Sequence, residues 1–352
     1  MDPAIRSKTD LILLALPFAI MAGAMTAFVV VGPGWGFLPL PVVGPAVAAA
    51  IGGVWYTLAA GAMAMAECLL LAISMPADRR PAEVAFLAAA GVTAAGVLAC
   101  RSRERRDREL AQVSVVAEAA QQVLLRPVPH QVGPVRLAVR YLSASTGARV
   151  GGDLYEVIAK PDCVRLIVGD VEGKGLPAIK AAATVLGVFR EAAHEETSLA
   201  EIVARIETSL ARDPGDAQFV TAVLAEVAAD GGKMQLLSCG HPAPLLLGTA
   251  RPRFVGPEDG SLPLGLGDLA AGPRVPVTIP FQPGDGVLFY TDGASEARNK
   301  AGEFFPLADC GAVTAPPDPG TLVDRLSEEV VRHVGHAPDD DIALLLAYRD
   351  AA

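Results

Sequence analysis

Charge is scarce at the start of this 352-residue chain. Residues 1–100 hold nine charged side chains and residues 101–352 the other 59, and between Leu11 and Met75 the single charge is Glu67. So long an apolar stretch excludes a disordered or an all-soluble chain, and it exceeds what a cleaved leader contains. Cysteine is also sparse. Cys68, Cys100, Cys163, Cys239 and Cys310 are odd in number, far apart and never in a Cys-x-x-Cys pair. Neither a disulfide framework nor a thiolate zinc site is supported, and a reducing compartment fits them. Basic clusters are missing from the charged part, where 25 Lys and Arg face 34 Asp and Glu. That balance argues against nucleic acid as a partner, because phosphate neutralisation needs grouped cations. Cys100 and Arg106 have the spacing of a phosphate-binding thiolate loop, but Arg-Ser-Arg-Glu-Arg between them offers no glycine to bend one.

What the first hundred residues do contain is membrane-compatible. Leu11–Val31 is long enough for one crossing of an apolar layer about 30 Å thick. Val42–Met75 is too long for one span and reads as a tight hairpin of two short helices, followed by a further apolar run at Val84–Cys100. The expectation is a transmembrane domain over 1–100 with four helices at about 11–31, 42–57, 59–75 and 84–100; three spans are the alternative. Arg6 and Lys8 ahead of the first run, and Arg101, Arg103, Arg105, Arg106 and Arg108 after the last, place both ends in the cytoplasm, against the smaller vote of Arg79 and Arg80. Glu67 reads as a carboxylate packed among helices, with a sensor or ion-handling role as the sharper alternative.

Residues 101–132 form a charged helical linker. Leu110, Val113, Ala117, Ala120 and Leu124 recur at intervals of three and four. Such a seam allows a parallel coiled-coil homodimer through 101–125, or an amphipathic helix lying on its own domain. Beyond Pro134 the pattern becomes an irregular α+β mixture. Strands are expected at 135–142, 164–168, 219–227, 234–238, 245–247, 287–290 and 342–347, with helices at about 178–195, 198–212 and 321–333. Four segments place aspartate where a strand meets a turn: Gly151-Gly152-Asp153, Gly169-Asp170-Val171-Glu172-Gly173, Tyr290-Thr291-Asp292-Gly293 and Asp339-Asp340-Asp341-Ile342. Each alone is an ordinary turn. Gathered at one sheet end they would repel one another unless a cation intervened, and carboxylate oxygens suit Mg²⁺ or Mn²⁺.

The ordered set resembles the metal-dependent protein serine/threonine phosphatase superfamily, protein phosphatase 2C-like, in its bacterial branch typified by the sporulation stage II protein E and RsbU phosphatases. Further matching segments are Lys174-Gly175, Phe219-Val220-Thr221-Ala222, Cys239-Gly240-His241-Pro242-Ala243-Pro244, Pro263-Leu264-Gly265, Pro283-Gly284-Asp285 and Glu296-Ala297-Arg298. The resemblance covers 133–350 and implies a β-sandwich flanked by helices (αββα) carrying two Mn²⁺ or Mg²⁺ ions. It implies Asp153, Asp170, Asp292 and Asp340 as catalytic metal ligands, with the Val171 carbonyl as a further one and the register within Asp339–Asp341 open by one residue. The implied chemistry is direct hydrolysis of phosphoserine or phosphothreonine in a protein by a metal-bridged hydroxide, in bacterial sigma-factor partner switching, on a substrate such as an anti-anti-sigma-factor-like phosphoprotein.

Glu156 stands where relatives often carry an aspartate three residues after the first, and Lys174 where many have histidine. Lys174 is open to two readings, phosphate attraction or a solvent-facing turn. His241 reads as a structural turn residue, Thr221 as a packing residue and Glu296 as a support for the Asp292 loop. Two look-alikes fail. Gly169–Gly175 lacks both the spacing of a nucleotide phosphate loop and its Ser or Thr, and Gly151–Tyr155 lacks the acidic and phenylalanine positions of a diguanylate cyclase signature. The rival reading is a catalytically silent membrane receptor that uses the domain only to bind a regulatory partner.

Overall fold

A computed structural model describes residues 8–31, 42–74, 80–144, 151–212, 219–228, 230–248, 251–257, 261–269, 272–309 and 318–350. The chain divides into two compact units, 1–110 and 111–352.

The first unit is helical. It contains α1 (Lys8–Val31), α2 (Val43–Ile51), α3 (Val54–Ser74) and the start of α4 (Arg80–Leu124). Helices pack here through small side chains. Ala48, Ala60, Ala64 and Ala89 are wholly buried, and a Cβ on Gly61 would run into Thr93. The outer faces are apolar, with Trp55, Leu69, Leu70, Ile73, Leu87 and Leu98 all exposed. Two segments, Val54–Ser74 and Arg80–Glu109, are long and apolar enough to cross a membrane, and Leu13–Ala27 is a shorter apolar stretch. The expected helix at 42–57 is corrected. Its chain breaks at Gly52-Gly53, leaving α2 with nine residues, about 14 Å, which is too short to span. Arg103 donates to the Gly52 carbonyl at 2.7 Å and so satisfies an acceptor that the end of α2 leaves free. The expected helix at 84–100 is likewise only part of α4, which runs on without a break to Leu124.

Among the described residues the second unit has eleven strands: β1 (Gln131–Val132), β2 (Val135–Leu142), β3 (Leu154–Ala159), β4 (Cys163–Val171), β5 (Val220–Ala228), β6 (Lys233–Cys239), β7 (Leu245–Leu247), β8 (Arg253–Phe254), β9 (Val277–Pro280), β10 (Gly286–Tyr290) and β11 (Ile342–Arg349). Its further helices are α5 (Leu176–Glu195), α6 (Leu199–Arg212), the single turn α7 (Asp292–Ser295) and α8 (Pro319–Val334). One sheet runs β1-β2-β11-β10-β7-β8 and the other β3-β4-β5-β6-β9, with every paired ladder antiparallel. The expected α+β sandwich is observed.

Alternation along the strands makes three apolar layers. Leu166, Val168, Ala225, Phe289 and Leu345 fill the space between the sheets. Leu154, Ile167, Leu224 and Leu237 point the other way, onto Val185, Leu186 and Phe189 of α5 and Ile202 and Ile206 of α6. On the opposite outer face Leu288, Leu344 and Leu346 meet Leu322, Leu326 and Val330 of α8. Arg165, almost fully buried, pairs with Glu226 at 2.7 Å and donates to the Ala193, Glu196 and Thr197 carbonyls, closing the C-terminal end of α5.

Four strands had no sequence signal: β1, β3, β8 and β9. Three are very short, and in β3 (Leu-Tyr-Glu-Val-Ile-Ala) Glu156 interrupts the apolar run without setting up an alternation. Of the linker seam, the side chains of Leu110, Val113 and Ala117 lie outside the described residues. Ala120 and Leu124 pack against Ile179 of α5, so at these two positions the helix lies on its own domain.

Candidate active site

Register brings the predicted aspartates to one end of the sandwich. Leu154 of β3 pairs with Gly169 of β4, so Asp153 falls beside Asp170. In the facing sheet Tyr290 of β10 pairs with Leu344 of β11, so Thr291-Asp292 leaves that ladder beside the chain entering it at Asp340-Asp341. Two hydrogen bonds tie the strands there: Thr291 N–H to the Ala343 carbonyl at 3.1 Å, and Ala343 N–H to Thr291 Oγ1 at 2.9 Å. The Thr291 hydroxyl then donates across to Asp153 Oδ2 at 2.8 Å. Glycine makes these approaches feasible. A Cβ on Gly152 would press on the Val171 carbonyl, and one on Gly293 would strike the Asp341 carbonyl. Gly173 and Gly175, at φ 98° and 83°, turn the chain from β4 into α5 in a left-handed conformation that ordinary side chains resist.

Electrostatically this is one centre. Burial, then the charge of Asp170, drives the Asp153 carboxyl well above the ordinary aspartate range, with Asp341 and Asp292 adding to the effect. Burial, followed by Asp292 and Asp340, lifts Asp170 to about 7, although a hydrogen bond with Asp153 pulls the other way. Asp292 is raised by burial and by Asp340. Carboxyls packed this way retain protons until positive charge arrives. The exposed Asp340 has Lys174 Nζ 2.9 Å from its Oδ1. A cavity of about 280 Å³ opens beside it, lined by Asp292, Glu296, Arg298, Asp339 and Asp340 among others.

The fifth carboxylate, Asp341, is 2% exposed. Tyr141 donates to its Oδ2 and the Ala144 N–H to its Oδ1 at 2.7 Å. In the sequence Asp341 stands only as a register alternative to Asp340, and nothing there marks Tyr141 or Thr291. The Asp339–Asp341 run was the sole signal. Glu156 goes elsewhere. It sits on the helix side of β3 and pairs with Arg190 of α5 at 2.6 Å, so it does not join the aspartates. Glu296 is exposed at the cavity. His241 is buried, with Nε2 donating to the Tyr290 carbonyl at 3.0 Å and Nδ1 3.1 Å from the Thr221 hydroxyl, which donates to it. Burial lowers its pKa to about 4, so it is a neutral structural bridge between the sheets.

The donor chemistry fits a hard divalent cation: clustered carboxylate oxygens whose mutual repulsion a positive charge would relieve. Among the described residues, however, no three His, Cys, Asp or Glu side chains stand as a group that could hold a metal ion. Two of the carboxylates are engaged by other groups: Lys174 pairs with Asp340 and Tyr141 donates to Asp341.

Two face-to-face antiparallel sheets, helices on both outer sides and an acidic centre at one end define a protein phosphatase 2C-like domain. Solved structures agree on the fold. The SpoIIE phosphatase domain with a fragment of its regulatory domain, from Bacillus subtilis, superposes with a TM-score of 0.54 at 18% identity over 62% of this chain and 64% of that one. The SiaA PP2C domain of Pseudomonas aeruginosa gives 0.55 at 17% over 71% and 98%. Residues 160–350 match the family model for stage II sporulation protein E (SpoIIE), and the chain belongs to that family. Asp153 precedes the matched segment. The RsbU and RsbW domains of Rv1364c from Mycobacterium tuberculosis are 28% identical, with a TM-score of 0.53 over 62% of this chain and 61% of that one. Protein IcfG of Synechocystis sp. is 22% identical over 240 residues, 57% of this chain and 36% of its own length. The chain thus spans about a third of that curated relative.

Proposed function

We propose that this protein is a membrane-anchored, metal-dependent phosphoserine/phosphothreonine protein phosphatase. The observation that carries the reading is the convergence of Asp153, Asp170, Asp292 and Asp340, from both sheets, on one electrostatically coupled centre within a SpoIIE-family fold. Asp153, Asp170, the Val171 carbonyl, Asp292 and Asp340 would hold two Mn²⁺ or Mg²⁺ ions. When bound, such a pair supplies Lewis acidity toward a phosphoryl group and its attacking water. The chain's own contribution is positional. Thr291 orients Asp153, and the Asp153–Asp170 pair holds a proton that must leave as positive charge enters. The adjoining cavity admits a phosphorylated side chain beside Asp292 and Asp340. Lys174, already drawn to Asp340, has the charge to meet an incoming phosphate.

Membrane anchoring is supported by two long apolar helices whose faces are largely uncovered. The arginines at 101–108 support a cytoplasmic phosphatase domain by the bias of basic residues toward that side. A phosphoprotein substrate in partner switching, of the anti-anti-sigma-factor type, is the reading that the neighbouring RsbU and RsbW domains of the Mycobacterium tuberculosis protein favour.

The test is Mn²⁺-dependent hydrolysis of p-nitrophenyl phosphate and a phosphothreonine peptide by the full chain in detergent. Turnover that disappears with EDTA and in Asp292→Asn is expected. No turnover at any pH from 7 to 9 would leave the silent receptor as the better reading.

A further inference from the structure

The acidic centre is not held by the two sheets alone. Gln121, near the end of α4, is buried; its Nε2 donates to the Tyr141 hydroxyl at 2.8 Å and lies 3.4 Å from the main-chain carbonyl of Asp153. Tyr141, at the end of β2, gives its own proton to Asp341 Oδ2. Ala144 N–H holds the other oxygen, and a Cβ on Gly151 would occupy the space this carboxylate fills. With its side chain fixed, Asp341 presents its own N–H to Asp340 Oδ1 at 3.0 Å. The path therefore runs from a helix outside the sandwich to the aspartate at its rim, with a branch to the backbone of Asp153. An amide has the donors for both targets, and a phenol can accept from one neighbour while donating to the next.

We propose that Gln121 and Tyr141 are positioning residues of this centre, so that the end of α4, through Asp341 and the Asp153 backbone, holds Asp340 and Asp153 where they can take divalent cations. The proposal rests on the metal-dependent phosphatase reading given above. Neither side chain need touch substrate. Partners that orient ligating groups typically change metal affinity by about 10- to 100-fold when removed.

The experiment uses the full chain in detergent, stripped of metal and titrated with Mn²⁺. Bound Mn²⁺ is read from loss of the free-ion electron paramagnetic resonance signal, kcat and KM from p-nitrophenyl phosphate, and folding from the melting temperature of the metal-free protein. Tyr141→Phe and Gln121→Ala should each weaken Mn²⁺ binding about tenfold or more and lower kcat while KM stays unchanged. The double variant should lose clearly less than the sum of the two single losses, because Gln121 and Tyr141 share the path to Asp341 and only the Asp153 branch is separate. Tyr141→Phe keeps the ring and tests the idea alone if Gln121→Ala fails to fold. Wild-type Mn²⁺ affinity in a folded Tyr141→Phe protein, or fully additive losses in the pair, would overturn the proposal. A wild-type chain that neither binds Mn²⁺ nor turns over would instead overturn the phosphatase reading beneath it.

Discussion

In residues 1–110 large apolar side chains turn outward. Trp55 is 84% exposed, Leu87 71% and Ile73 67%, while the wholly buried positions are mostly alanines at helix contacts. In residues 111–352 the direction reverses: Phe189, Phe281 and Phe289 are fully enclosed, and the sheets and helices share three apolar layers. Apolar content alone therefore does not distinguish the two units; the direction in which their large apolar side chains face does. Polar groups follow the same division. The second unit gathers its carboxylates at one sandwich end, whereas in the first Glu67 stands buried with one oxygen, Oε2, lacking a hydrogen-bond partner.

The contrast can be broken or sharpened by experiment. The largest effect is expected at the acidic centre. Asp170→Asn should reduce metal-dependent phosphatase turnover by about a thousandfold or more, as befits the several kcal/mol that divalent ions supply to phosphoryl transfer. Steady-state kinetics across a Mn²⁺ series checks it, and retained turnover would remove Asp170 from the site. Next comes the enclosed core. Phe189→Ala opens a cavity between α5 and its sheet and should cost about 3–5 kcal/mol, read by urea unfolding of the second unit's signal. Exchanging the exposed Leu87 for alanine should cost far less in detergent.

His241 supplies a pH-dependent case. Its folded pKa, near 4, lies below the ordinary histidine value of 6.5, so its neutral form favours the folded state above pH 6.5. That contribution, at most about 3 kcal/mol, is lost as pH falls from 6.5 through 4. Thermal melts across this window should show acid destabilisation that His241→Asn flattens; an unchanged slope would contradict a buried neutral imidazole. The smallest effect belongs to the first unit. Arg103→Met removes the bond to the Gly52 carbonyl and should lower stability by about 1 kcal/mol, measured by thermal denaturation in detergent.

Much of the second unit was legible in sequence because its longer strands are apolar runs bounded by turn residues and its helices carry amphipathic stripes. β2 and β7 coincide with their expected spans, and α5, α6 and α8 differ only by a residue or two at their ends. β3 was not legible: Glu156 interrupts its apolar run and reads as a surface residue until Arg190 is seen beside it. In the first unit, hydrophobicity marked the apolar runs but not the break at Gly52-Gly53, since two glycines within an apolar run carry no polarity signal.

The sequence alone offered Asp153, Asp170, Asp292 and the Asp339–Asp341 run as strand-end aspartates with the chemistry of oxygen ligands, because residue type and strand-end position are local properties; the choice of Asp340 within that run came from the family resemblance. Tertiary structure decided the rest. It turned Glu156 toward α5, left Asp340 at the rim with Lys174, buried Asp341, and recruited Tyr141 and Gln121. Tyr141 and Asp341 are neighbours only because β2 and β11 pair in one register, and a contact across that ladder leaves no mark in the sequence around either residue.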